Sequence, residues 1–213
     1  MGPGRKITRS LAVAVSGAVL ALAVAACGDD AESHASRDFS ASDLKGLNLV
    51  PDDVPRMEYQ PDVSGRGAFV ADQEEDAENE GDRSGLEFLA DLERIGLEDD
   101  YVSQFFATSR DSQLGFAESI VFLFADEEGA SKATQLVADA AARNVEPATE
   151  IDPPGLGEQG FGIRGEFDGF PTFTYGWRLG DAIQMLTIAP MKGRAGAEAA
   201  LELAERLAAK ATG

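Results

Sequence analysis

The stretch FTYGWRLGDAIQMLTIA, residues 173–189, decides the fold. Two alternating, β-prone runs flank Gly180-Asp181, a Gly-first pair suited to a primed two-residue turn. Such a turn fixes the register. Phe173 then opposes Ile188, Tyr175 opposes Leu186 and Trp177 opposes Gln184, while Thr174 meets Thr187 and Gly176 meets Met185 on the other face. The side carrying Phe173, Tyr175 and Trp177 is read as a core face on which helices pack; an aromatic ligand platform is the competing reading.

Outward from this hairpin, IVFLFA (residues 120–125) is apolar on both alternating faces and predicts a central strand. Asp126 is placed to cap the helix predicted over 127–143, with acids in its first turn and Arg143 in its last, as the helix dipole favours. Residues 144–160, with Pro147, Pro153, Pro154, Gly155 and Gly157, read as a long loop, and 161–167 as a strand. A last helix is predicted over 197–211, with Leu203 and Leu207 on one stripe and Glu202 spaced to pair with Arg206.

Earlier in the chain, residues 101–106 read as a strand and 86–95 as a helix. Ser84 and Glu87 form a candidate capping box at the start of that helix, and Gly96 a candidate C-cap. Ala68-Phe69-Val70 reads as a strand and 72–82 as an acidic loop. Residues 44–63, interrupted by Pro51, Pro55 and Pro61, read as packed loops with one short strand. The expected class is α+β: a mostly antiparallel sheet with helices packed on one face.

The first 26 residues have a different character. Arg5, Lys6 and Arg9 precede an apolar run over 11–26, too short for a membrane span and shaped like a secretory leader. It ends in Val24-Ala25-Ala26-Cys27, which resembles a bacterial lipobox. That resemblance implies that Cys27, the only cysteine, receives diacylglycerol and becomes the first mature residue. The expected organisation is a signal peptide over 1–26, a lipidated cysteine and flexible stalk over 27–43, and one α+β domain over 44–213. The expected location is the extracytoplasmic side of the cell membrane, held by acyl chains worth about 0.8 kcal/mol per buried CH₂.

Charge narrows the partners. The chain has 38 acidic and 18 basic side chains, a net of −20; removing the leader takes three bases and leaves −23. Phosphate neutralisation of nucleic acid is excluded on that balance, and adsorption to anionic lipid is disfavoured. One cysteine and one histidine leave no Cys/His zinc cluster and no intrachain disulfide. His34 lies in the stalk, so a Ser-His-Asp site is not expected, and no nucleophile elbow, dinucleotide fingerprint, P-loop or zincin motif is present.

Asp76, Glu78, Glu80, Asp82, Ser84 and Glu87 reproduce the ligand spacing of a twelve-residue calcium loop, with Gly81 at its sixth position. Glutamates at the third and fifth positions, Arg83 at the eighth and the lack of an entering helix depart from the pattern. Calcium is the only cofactor the sequence nominates; the competing reading is a solvated acidic loop.

Residues 118–211 resemble small actinobacterial envelope lipoproteins and extracellular sensor-like domains, of the Mog1/PsbP-like or LpqN-like kind. The resemblance rests on the strand at 120–125, Glu128-Gly129-Ala130, Leu156-Gly157-Glu158, Arg178-Leu179-Gly180-Asp181 and the helix at 197–211. It implies fold and location and supplies no catalytic residues. The leading functional expectation is a non-catalytic, lipid-anchored binding or scaffolding module for an envelope protein or small ligand. The alternatives are a cation-responsive protein, a carrier of small apolar ligands, and a hydrolase using carboxylates such as Glu118, Glu158, Glu166 or Asp168.

Overall fold

The computed structural model describes residues 38–79, 84–109, 111–153, 155–191 and 193–211; for 78–79 and 193–197 it describes the backbone alone. Cys27, His34 and the leader lie outside these residues. The strands are β1 (Met57–Tyr59), β2 (Gly65–Arg66), β3 (Leu97–Ala107), β4 (Leu114–Phe124), β5 (Thr149–Glu150), β6 (Gly160–Phe167), β7 (Phe170–Leu179) and β8 (Ala182–Pro190). The helices are α1 (Leu44–Leu47), α2 (Ala68–Asn79), α3 (Ser84–Ile95), α4 (Glu127–Arg143) and α5 (Gly193–Lys210). Among the described residues these eight strands form one sheet in the order β1-β3-β4-β8-β7-β6-β5, with β2 also pairing β3. Every pairing is antiparallel. The expected α+β class is the class observed.

The β7–β8 hairpin adopts the register its turn predicts, from Phe173↔Ile188 to Trp177↔Gln184, with Gly180 at φ +59°. Its aromatic face is core. Tyr175, Trp177, Leu186 and Ile188 pack with Phe105, Ala117, Leu203, Ala204 and Leu207. The expected stripe of α5 is therefore the stripe that is buried. Arg206 of that helix donates to the Asp53 carbonyl at 3.2 Å, and Lys210 pairs with Asp53 at 2.5 Å, fastening α5 to the N-terminal segment.

The helices divide between the two faces of the sheet, which corrects the expectation of one-sided packing. The cause is visible in β4. Val121 and Leu123 point toward α1 and the end of α5. Ile120, Phe122 and Phe124 point the other way, into a cluster with Leu92 of α3 and Ala130, Ala133 and Val137 of α4. A strand apolar on both faces needs cover on both. Asp126 caps α4 as expected, its Oδ1 accepting from Gly129 N at 2.7 Å.

Residues 68–79 form a helix, where the sequence reading placed a strand and an acidic loop. The start signal comes from elsewhere in the chain. Buried Asp100, on β3, accepts from Phe69 N at 3.0 Å and so caps α2 across the sheet edge. Phe69 then anchors the helix edge-on against Phe122 at 5.0 Å and Phe88 at 6.1 Å. That apolar anchorage outweighs the repulsion among Asp72, Glu75 and Asp76, like charges at helical spacing being a matter of tenths of a kcal/mol. Helix α3 ends as expected, at Gly96 with φ +111° and its N–H donating to Leu92 O at 3.1 Å.

Two pieces of the resemblance have a packing explanation. Leu156 joins the core cluster beside Trp177, and Glu158 N donates to Arg178 O at 3.2 Å. Arg178 in turn pairs with Glu158 and donates to Gly180 O. Gly157 sits at φ +66°, where an added Cβ would lie 2.3 Å from Arg178 O. Leu-Gly-Glu and Arg-x-Gly-Asp are thus the two halves of one loop-on-hairpin contact. Asp181 finishes it by accepting from Phe39 N at 3.1 and 3.2 Å. Among the described residues, Phe39 already packs with the sheet, five residues before Leu44.

Candidate functional site

The α2–α4 face of the sheet changes character near its far end, away from the Gly180-Asp181 turn. Val102, Ile120 and Met185 form an apolar level on neighbouring strands beneath the helices. One level further out the register brings Gln104, Glu118, Thr187 and Thr174 into a row across β3, β4, β8 and β7. Gln104 Nε2 donates to Glu118 Oε1 at 2.9 Å, and the two threonine hydroxyls are 3.2 Å apart. The next level is aromatic. Phe106 and Phe116 are cross-strand partners with ring centroids 5.2 Å apart, and Phe106 is 44% exposed.

Glu118 is half-buried in the middle of the sheet, and loss of hydration pushes its carboxyl up to about 7. The Gln104 amide opposes this rise, and the nearby Asp72 carboxylate, one turn into α2, reinforces it. The other three carboxylates considered for hydrolysis stand apart from it. Glu158 is engaged by Arg178 at the turn end of the hairpin. Glu166 lies on β6 opposite Pro171, where its backbone pairs with Glu146, and Asp168 occupies the β6–β7 turn at φ +51°. The structure thus places the half-buried Glu118 carboxyl beside an amide and two hydroxyls, with the Asp72 carboxyl, itself raised to about 6 by burial and its acidic neighbours, near it. Glu118 can accept a donor or hold a proton, but no second of those acids flanks a common reaction point.

The calcium-loop residues are distributed differently from the expected loop. Asp76 and the backbone of Glu78 belong to α2, while Ser84 and Glu87 open α3. Glu80 and Asp82 lie outside the described residues. Among the described residues, no group of three or more metal-capable side chains converges.

Acids do gather at the opposite end. An open depression of about 750 Å³, where the chain enters the domain, is lined by Asp38, Glu98, Asp126, Glu127, Glu128 and Asp181 beside Phe39 and Phe124. Burial raises the Asp181 carboxyl, and the hydrogen bond from Phe39 works against that rise. The sequence reading missed this gathering because its members come from four separated segments. It also missed the polar row, which becomes visible only once the β4–β8 register is known.

Among the described residues no helix is long and apolar enough to cross a membrane. No protein family matches the chain, nor does any curated protein. Among solved structures, the extracellular domain of PknH from Mycobacterium tuberculosis is similar, with a TM-score of 0.50 and 10% identity over 81% of this chain and 98% of that one. The likeness is one of fold alone.

Proposed function

We propose that this chain is an extracytoplasmic, lipid-anchored binding module without catalytic activity. The observation that carries the reading is its polarity. The chain enters at one end of the sheet, bound through Phe39 and Asp181, while the exposed aromatic and polar levels occupy the other. Strand β8 alone separates the two ends by about 30 Å at roughly 3.3 Å per residue. A tether at Cys27 would then approach the end crowded with carboxylates, which disfavours contact with anionic headgroups and leaves the opposite face for a partner. The similarity to an extracellular domain and the lipobox-like leader support the same location.

Metabolic labelling with an alkyne fatty acid tests the anchor. The wild-type protein is expected to take up label, and Cys27→Ser to lose all of it while accumulating as the longer precursor. Equal labelling of the two proteins, or none in the wild type, would overturn the assignment.

A further inference from the structure

Among the described residues, four large apolar side chains are exposed, and three of them share one end of the sheet. Phe106 is 44% exposed at the end of β3, Met191 41% just beyond β8, and Phe170 58% at the start of β7. The β7–β8 register, carried three residues past Phe173↔Ile188, sets Phe170 opposite Met191. Phe116, beside Ala189 of β8, links that pair to Phe106. These side chains form a strip across four strands on the α2–α4 face, next to the row containing Glu118. Two acids border it: Glu58 faces Phe106 from β1, and Asp168 sits two residues before Phe170.

We propose that this strip is a docking surface for a partner protein that presents apolar side chains flanked by Lys or Arg. The inference rests on the tethered reading above and names the partner class that reading leaves open. Exposed apolar area of this kind marks interaction sites, and its acidic border selects a basic rim. Lipid is a poor occupant, because the strip lies at the far end of the sheet from the chain's entry and its borders are acidic. A second copy is also disfavoured. Both copies carry the same negative charge, and two domains tethered to one membrane would point their strips the same way rather than at each other.

The test places a photoreactive p-benzoylphenylalanine at Phe106 or Phe170 of the full chain in its cells, with Glu98 at the entry end as the control position. After irradiation, mass spectrometry identifies the cross-linked peptide. The expected result is one dominant adduct from 106 and 170, absent from 98, whose contact peptide is apolar with flanking Lys or Arg. Charge reversal by Glu58→Lys together with Asp168→Lys is expected to lower its yield at least fivefold. Adducts to lipid, adducts at twice the chain's own mass, contact peptides without basic residues, or no position-specific adduct would each overturn the proposal. Fractionating the same cells keeps the two readings separate, since a chain absent from the membrane fraction refutes the tether whatever the cross-links show.

Discussion

Replacing Trp177 with alanine is expected to destabilise the domain by about 3–5 kcal/mol, the range for deleting a large aromatic side chain from a packed core. Trp177 is 1% exposed and lies where β7, the 151–158 loop and α5 meet, with Leu156, Leu203 and Leu207 in the same cluster. For a domain of this size the melting temperature should fall by roughly 10 °C. Among the described residues its indole N–H has no hydrogen-bond partner, and neither has the Oε1 of Gln184, its cross-strand neighbour. Trp177→Phe removes that orphaned donor along with some volume, so its cost should be well below that of alanine. Thermal melts followed by circular dichroism check both substitutions. A loss under 1 kcal/mol for Trp177→Ala would mean the aromatic face of the hairpin is not core.

Glu118→Gln is expected to act in the opposite sense and to depend on pH. In the folded chain the carboxyl is raised from 4.5 to about 7, chiefly by burial. Below about pH 4.5 it is protonated whether the chain is folded or not, so it imposes no penalty there. Between 4.5 and 7 the unfolded chain ionises freely while the folded one holds its proton, and stability falls as pH rises. Above 7 the penalty is complete, about 2 kcal/mol once partial exposure is allowed for. The glutamine variant should therefore be more stable than wild type at pH 8, nearly equal at pH 4.5, and flatter in between. Gln104 can keep its hydrogen bond, because an amide oxygen replaces Oε1. Denaturant titrations at these pH values measure the difference, and a variant less stable than wild type at pH 8 would refute this account of Glu118.

Local signals in the sequence were enough for much of the fold. Gly180-Asp181 set the hairpin register, Asp126 announced α4, and the Leu203–Leu207 stripe located the buried side of α5. What escaped depended on distant partners. Helix α2 owes its start to Asp100, 31 residues downstream, so Ala68-Phe69-Val70 showed only its strand-like composition. Packing on both faces was already implied by the two-sided apolar pattern of β4, and the sequence reading did not carry that implication through. The polar row and the apolar strip were hidden for a different reason. Gln104, Glu118, Thr187 and Thr174 are unremarkable singly, and only strand order makes them neighbours. The calcium spacing illustrates the converse, since residues regular in sequence fall partly on a helix.

The proposed tether holds the acidic domain at the membrane through lipid on Cys27. Intact-mass and peptide mass spectrometry of the protein extracted from its membrane measures this directly. The account predicts a mature chain that begins at Cys27, bearing diacylglycerol on its sulfur. An unmodified Cys27 still preceded by Ala26 would contradict it.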